Sequence, residues 1–478
     1  MPARLPDSPT SGPAELAGLA PEHLERLLQH HRRVVQPRQR ALWNAYRNPA
    51  ISSEGRGPAS RRLAQTAGLP PRLTDGRSHR EIVIENDIAW RINVMVDFLF
   101  GRPLGVRSLA GEPALARRIE AALSAVLEAS GGMGMLQEAG LLGHVHGWVD
   151  VLTESLPDVA AADSTGHDAT RQATRQSSPS IPDDLLPDLC AAAVRLRVLD
   201  PVQAVPVLGG RAQQPLAMML MDRAADPATG VAGTLISVRT PEVVQRRFVA
   251  DGEGSVGRVL STERLPIPAY RLPIAHIQNV ALPGSYAGLG EVEPLLPLQD
   301  ELNTRLSDRA SRVTLQSFKI YLARHVQPLP DSGLRPGMVI HAEHDQAAIT
   351  PFGGDAHSPS EEAHIAELRE AMDKTSGVPA LAAGVVNAKI GNLTSENALR
   401  ITLQGLLSRT ARKRLTYGAG LRHALELALA VLHERGLLLT DPSQRRLELL
   451  WPDLSPEAIT GTTRPAGATP PPAPPTSA

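Results

Sequence analysis

A single cysteine, Cys190, stands in 478 residues. One thiol closes no internal disulfide and supplies no multi-cysteine zinc site, so the chain is expected to fold by apolar burial in a reducing compartment. With no motif around it, Cys190 reads as a small buried apolar residue. Long apolar runs are missing too. No stretch of about 18 uncharged apolar residues occurs, and "MPARLPDSPTSGPAELAGLAPEHLERLLQHHRRVVQPRQR" lacks an apolar core of signal-peptide length. The expectation is a soluble, non-exported protein with no membrane partner. Nor is there an excess of either charge: 49 basic against 50 acidic residues leave a formal charge of -1. That excludes a general nucleic-acid-coating protein, so any DNA contact must be local or weak. Lysine is scarce, confined to Lys319, Lys374, Lys389 and Lys413, and the remaining basic residues are arginine.

Catalytic motifs are absent in the same sense. "GEGSVG" has the glycine density of a phosphate loop but lacks the Gly-Lys-Ser/Thr ending and the strand-to-helix setting that aims backbone amides at phosphate. In "HVHGW", His144 and His146 would share one face of a strand, yet no third ligand is spaced with them, so surface or hydrogen-bonded histidines are expected. "HAEHD" places His341 and Glu343 on one strand face and His344 on the other, which reads as a polar edge. No Gly-x-Ser-x-Gly elbow, His-Glu-x-x-His helix or catalytic carboxylate pair occurs. The chain is expected to be no enzyme and to use no cofactor or metal.

What is present is a mixture of helix and strand patterns in a chain long enough for two to four units. "PEHLERLLQHHRRVV" puts Leu24, Leu27, Leu28 and Val34 on one helical face. "EIVIENDIAWRINVMVDFLFGRP" repeats Ile84, Ile88, Ile92, Val96 and Leu99 at helical spacing and stops at Gly101 and Pro103. Helices from Pro113 and around "MLQEAGLLGHVHG" lead into "WVDVLTE", which alternates like a strand. Residues 157–184 carry almost no large apolar side chains and read as a disordered insertion. Short β-like runs from "AAVRLRVLDP" to "EVVQRRFVAD", parted by Gly, Pro and Asp, predict an antiparallel meander.

The second half turns on "EPLLPLQDELNTRLSDRAS". Leu295, Leu298, Leu302 and Leu306 form a narrow stripe on a helix whose remainder carries Asp300, Glu301, Arg305, Asp308, Arg309 and Arg312. "SFKIYLARHV" and "GMVIHAEHDQAAITPF" follow as two strands, then a helix over "SPSEEAHIAELREAMDKTSG", with Glu361 and Glu362 in its first turn. After the Gly- and Ala-rich "VPALAAGVVNAKIGNL", one helix can run from Thr394 or Ser395 to about Arg435, with Gly405 and the Gly418 and Gly420 pair as the places where it can bend. Its "RTARKR" run, Arg409 to Arg414, suits either an inter-subunit or body surface or a nucleic-acid patch.

The order of these parts, with the phrases "ENDIAWRINVMVDFLFGRP", "HVHGWVDVL", "LPIAHIQN", "GLGEVEPLLPLQDELNTRLSDRAS", "SGVPALAAG", "GNLTSENALRITLQGLLSRTARKR" and "LELLWPDLSP", resembles the portal proteins (head-to-tail connectors) of tailed bacteriophages over about residues 80–460. The resemblance implies an α+β portal-type fold: an N-terminal arm (1–80), an α/β wing (80–285), a first stem helix (286–316), a small β-containing clip (317–357) and a second stem helix (358–378). A tunnel loop (379–393), a long wing helix (394–435), a terminal strand region (436–460) and a Pro-rich disordered tail (461–478) complete it, with the crown reduced or absent. It further implies a ring homo-oligomer of twelve subunits, in a virion at one capsid vertex after assembly in host cytoplasm. Its partners would be double-stranded DNA in transit, the terminase large subunit, the major capsid protein, a scaffolding protein and the head-to-tail adaptor. The tunnel loop would present Val385, Val386, Asn387, Ala388, Lys389 and Ile390 to the channel, with Lys389 the cation singled out for transient DNA contact. Asp300, Glu301, Asp308, Glu367 and Glu370 are stem-lining candidates, with ion pairs or a solvated face as their alternative role. The competing function is a non-enzymatic cytoplasmic scaffold or adaptor with no DNA channel.

Overall fold

The computed structural model describes residues 20–48, 50–51, 62–63, 81–156, 181–209, 214–226, 229–250, 257–264, 272–317, 320–324, 348–352, 358–383 and 396–453. The fold is mixed helix and sheet, and the chain divides into two compact units. One comprises Met1–Trp43, Trp90–Glu293 and Gly377–Ala478; the other comprises Asn44–Ala89 and Pro294–Ser376. The expected insertion, the clip histidines His341 and His344, the tunnel loop from residue 384 to 393 and the Pro-rich tail lie wholly or mainly outside the described residues.

The larger unit is built around a main apolar core with smaller apolar clusters beside it. Helices α1 (Pro21–His30) and α2 (Gln36–Arg47) are joined by a π-helical turn, His31–Val35. Pro37 explains that turn. It has no N–H to give, and its ring would collide with the carbonyl four residues back, so the helix widens and the Gln36 N–H bonds to the His31 carbonyl. Helix α3 (Asp87–Phe100) starts later than its apolar repeat suggests, which corrects the expected helical placement of Ile84. Asn86 is the reason: its Oδ1 accepts the Ala89 N–H at 3.3 Å, the bond of an N-cap, and residues 81–86 are extended.

Strand β3 (Gly105–Ser108), helices α4 (Pro113–Ala129) and α5 (Gly132–His146) and strand β4 (Trp148–Ser155) follow. The structure corrects the expected strand setting of His144 and His146. Both lie in the last turn of α5, which ends at Gly147 with φ 93°. A Cβ on Gly147 would meet the Gly288 carbonyl at 2.5 Å, so glycine is required there by conformation and by space. Helix α6 (Leu186–Ala193) leads to β5 (Val194–Leu199). Then comes the expected meander: β6 (Ala204–Gly209), β7 (Gln214–Ala225), β8 (Ala232–Arg239), β9 (Val243–Ala250) and β10 (Arg258–Arg264) pair antiparallel in sequence order. Strand β5 is not part of it. A separate sheet has the order β11 (Ile274–Gln278), β4, β5.

The run "AMMLM" in β7, Ala217 to Met221, is apolar at every position because both faces are covered. Met219 and Met221 pack with Leu24 and Leu28 of α1, while Met218 and Leu220 pack with Leu152, Leu199 and Ile274. The main core gathers α4, α5 and α6, the three-stranded sheet and the last helix, α9 (Glu396–Glu434), and it holds Cys190 with no exposed surface. Helix α9 runs 39 residues without interruption through its glycines, about 58 Å at 1.5 Å per residue. Gly420 lies against Ile277 of β11, a close approach that excludes a side chain. Strand β14 (Leu447–Leu450) closes the unit by pairing with β3.

The smaller unit holds β1 (Ala50–Ile51) paired with β2 (Arg62–Leu63), the extended segment 81–86, and two long helices, α7 (Leu296–Ser317) and α8 (Pro359–Ser376). Between those helices in sequence, β12 (Ile320–Arg324) and β13 (Ala348–Phe352) pair antiparallel, Ile320 opposite Phe352.

Candidate functional site

The charge expected on α7 and α8 is present, and most of it is paired within the chain. Arg305 donates to Glu301 at 2.7 Å and to Asp308 at 3.2 Å, His364 of α8 lies 3.4 Å from Glu301, and Arg312 pairs with Glu361. Since Glu301 meets His364 and Arg312 meets Glu361, numbers rise along one helix as they fall along the other: the pair is antiparallel. The hydrogen bond from Arg305 holds the Glu301 carboxyl below its ordinary range, with His364 adding to the effect, while burial raises that of Asp300. Glu301, Arg305, Asp308, Arg312, Glu361 and His364 line an open cleft of about 480 Å³ in which carboxylates face guanidinium and imidazole groups.

The two remaining stem candidates differ. Glu367 and Glu370 are 76% and 65% exposed at the side chain, with His364 3.9 Å from one and Lys374 2.9 Å from the other. Helix α7 carries three carboxylates and three arginines, whereas α8 carries five carboxylates against Arg369 and Lys374. The acidic excess of the helix pair therefore belongs to α8. Val385, Val386, Asn387, Ala388, Lys389 and Ile390 lie outside the described residues.

A second face of α7 escaped the sequence reading. Leu295, Leu302 and Leu306 are buried as the stripe predicts, but so are Gln299, Asn303, Ser307 and Ser311. Those four polar residues recur every fourth position and bond to the backbone of the segment that leads into α3 and to the first turn of α3 itself. Ser311 Oγ accepts the Glu81 N–H (3.1 Å), Ser307 Oγ that of Val83 (3.0 Å), Asn303 Oδ1 that of Glu85 (3.2 Å) and Gln299 Oε1 that of Ile88 (3.3 Å). Gln299 Nε2 and Ser307 Oγ also donate back, to the carbonyls of Glu85 and Val83. The fit is geometric. Four helical residues advance about 6.0 Å and two extended residues about 6.6 Å, so every second amide of the strap finds the next rung of the helix. Helix α7 thus takes the place of a neighbouring strand for residues 81–85. The visible signal was the four-residue repeat of small polar side chains, which a charged helix disguises as solvent face. Arg369 of α8 secures the same strap by pairing with Glu85.

In the larger unit the "RTARKR" run is a structural element and not an open basic patch. Lys413 is 3% exposed, with Nζ 2.7 Å from Glu291 and 3.4 Å from Met95 Sδ; Arg409 reaches Glu291 at 3.2 Å, and Arg414 lies over the Trp451 ring at 5.2 Å. Of the four basic residues only Arg412 is exposed. Burial lowers the Lys413 pKa, and the Glu291 carboxylate opposes that shift. Beside this pair, His144 donates Nδ1–H to the Gly140 carbonyl (2.6 Å) and stacks on Tyr417 with 6.2 Å between ring centroids. Burial, then the Lys413 charge, holds His144 well below its ordinary pKa. His146 is pushed down to about 4 by burial, and its Nδ1–H meets Gln39 Oε1 at 2.8 Å. Both histidines are hydrogen-bonded core residues.

The loop from 279 to 291 is fixed by a compact polar set. Asp150, 1% exposed, accepts from His276 Nδ1 (2.8 Å) and from the Tyr286 hydroxyl (2.7 Å), while His276 Nε2 lies 2.8 Å from the Tyr286 carbonyl. Among the described residues, no group of three or more His, Cys, Asp or Glu is arranged to hold a metal ion, and no helix is long and apolar enough to cross a membrane.

No family model matches the chain, and no curated protein matches it. Among solved structures, a chain in the virion of a native gene transfer agent particle is 12% identical, with 88% of this chain and 92% of that one covered and a TM-score of 0.40. Chains in two neck structures are each 13% identical. For the neck of an empty gene transfer agent particle computed with C6 symmetry, the coverage is 79% and 83% at a TM-score of 0.40. For the neck of a native particle computed with C12 symmetry, it is 90% and 92% at 0.39. Likeness at this level carries no argument about function, which has to come from the residues.

Proposed function

We propose that the chain is the subunit of a portal-type ring that conducts double-stranded DNA at one capsid vertex, in packaging and in ejection. The observation that supports this is the succession of α7, the β12–β13 pair, the antiparallel return helix α8, the connection over residues 377–395 and the 39-residue α9. Stem, clip, stem, tunnel loop and long wing helix follow one another in the same order in the family that the sequence resembles.

The charge distribution suits such a role. A channel that moves DNA must not hold it, because every fixed phosphate contact adds affinity through counterion release. On this reading the exposed carboxylates of α8, Glu367 and Glu370, keep the wall repulsive, and Asp300, Glu301 and Asp308 act mainly through the helix pair that they help to hold. Lys389 supplies a single transient cation. The chain lacks a nucleotide loop, so the motor is external: a terminase large subunit docks at the β12–β13 end, and the head-to-tail adaptor later takes the same surface. The major capsid and scaffolding proteins would meet the wing. The portal itself is no enzyme and needs no cofactor, and it passes from host cytoplasm into the virion.

Negative-stain images of the purified chain test the reading directly, since rings of about twelve units with an axial hole are expected. A monodisperse monomer at every concentration and in every buffer would instead favour the scaffold or adaptor role. Lys389→Ala should alter DNA packaging or retention while rings stay intact; unchanged packaging removes Lys389 from the mechanism.

A further inference from the structure

The loop that follows β11 carries a protonation requirement that the channel reading does not use. Residues 279–290 leave the sheet after Gln278 and return at Glu291. Main-chain bonds close the base of this loop: the Asn279 N–H meets the Gly147 carbonyl and the Leu289 N–H the Val280 carbonyl, both at 2.9 Å. Side chains hold the tip. Tyr286 turns inward and is buried, and its ring stacks on that of His276 with 3.8 Å between centroids.

The hydrogen bonds of His276 require one proton more than a neutral ring supplies. Nδ1 lies 2.8 Å from Asp150 Oδ1, and Nε2 lies 2.8 Å from the Tyr286 carbonyl. A carbonyl and an ionised carboxylate only accept, and a neutral imidazole has a single N–H. One ring nitrogen would then turn its lone pair on an oxygen at hydrogen-bond distance. Placing the proton on Asp150 leaves the count unchanged, because the pair still holds one proton more than a neutral imidazole beside a carboxylate. Charge points the same way. Asp150 is 1% exposed, and among the described residues its side chain accepts from His276 and from the uncharged Tyr286 hydroxyl, so the imidazole is the group that can balance it.

Other charges nearby are engaged elsewhere. Arg197 of β5 is turned to Glu154 at 3.7 Å, and Glu291 beyond the loop pairs with Lys413 and Arg409. The meander meets this side of the sheet through Met218 and Leu220, against Ile274, and α9 meets the opposite side, with Gly420 against Ile277. We propose that His276 and Asp150 form a pH-sensitive latch on the loop: one shared proton closes it over Tyr286, and loss of that proton loosens the tip while the base stays closed. Gln278 Nε2 reaches the Ser285 and Tyr286 carbonyls at 2.7 and 3.0 Å without any proton change, so the opening is partial. The latch is complete on the acid side of the range in which histidine changes charge, about pH 5 to 8, and opens on the alkaline side. The inference is independent of ring formation and of the channel.

Hydrogen exchange of the full chain between pH 6 and pH 9, corrected for the intrinsic rate, tests it. The Leu282 N–H bonds to Gln278 Oε1 and the Ser285 N–H to the Leu282 carbonyl. Protection at these two tip amides should fall about tenfold as pH rises, the weight of roughly one hydrogen bond, while Asn279 and Leu289 at the base keep theirs. His276→Gln, with no titrating group at that position, should remove the step. Where that variant lowers the melting temperature, NMR titration of the His276 ring in the parent chain takes its place, and its midpoint should coincide with that of the loop. A flat profile in the parent chain, a step that survives His276→Gln, or two midpoints that differ would each overturn the proposal.

Discussion

The two units cohere by different means. In the larger one, helices and sheets close on fully buried Ile119, Leu123, Val149, Ala424 and Leu432, and among its few buried charges Lys413 is paired with Glu291. In the smaller one, the face of α7 that holds the strap is polar, Gln299, Asn303, Ser307 and Ser311, and the contacts between α7 and α8 include ion pairs. Apolar burial is non-directional and tolerates small displacements, whereas a hydrogen-bond ladder is satisfied in one register and costs free energy in every other. The larger unit therefore derives its strength from packing, and the smaller one derives its uniqueness from pairing.

The contrast breaks most readily at its apolar end. Leu123→Ala should cost about 3 kcal/mol, because the cavity left among α4, α5 and α9 has no solvent to fill it; urea denaturation gives the number. A cost below about 1 kcal/mol would show that the site collapses freely and that packing is looser than its burial implies. Acid gives an effect of similar size in the same unit. The folded His146 titrates near 4 while an unfolded histidine titrates near 6.5, so between those values the unfolded chain binds the extra proton. Stability is thus full above pH 6.5 and falls as pH drops towards 4, by up to about 3 kcal/mol for a shift of this size. His146→Gln should flatten that part of the stability curve in melts taken from pH 7 to pH 4.5, and an equal slope in both proteins would mean that another group carries it.

At the polar end, Asn303→Ala strips an acceptor from the Glu85 amide and should cost about 2 kcal/mol. Its more telling signature is local: hydrogen exchange should speed at Val83 and Glu85 while the amides of the larger unit keep their protection. Lys374→Ala on the exposed side of α8 should change stability by less than about 0.5 kcal/mol, since an exposed pair four residues apart contributes little. If Lys374→Ala proved as costly as Asn303→Ala, the distinction between a specifying ladder and a solvated charged face would be lost.

Much of the larger unit was legible in its sequence because its signals are periodic. The repeats at Pro113–Ala129 and Glu396–Glu434 and the turn-separated runs of the meander each point to one element. The misreadings occur where one side chain overrules a period. Asn86 caps α3 inside an apolar repeat that continues back to Ile84, and Gly147 ends α5 one residue after a His-x-His pattern that also suits a strand. The polar face of α7 was missed for a different reason. Asn303 and Ser307 look like solvent-facing residues until the strap that uses them is placed beside them, and that strap is more than 200 positions away in the chain. Among the candidate site residues, sequence located the charges but not their partners: Glu301 and Asp308 share Arg305, while Glu367 and Glu370 remain at the surface.

The strap and its helix also work as a vernier. Their repeats differ by about 0.6 Å per step, so the mismatch across the three extended rungs reaches about 1.2 Å, near the limit that hydrogen-bond geometry absorbs. A fourth extended rung would fall out of reach, and the strap turns into α3 at Asp87 before one is needed. On the α3 side the ladder ends where the strap turns helical, and its last rung, Gln299, reaches the Ile88 amide inside the helix through a longer side chain.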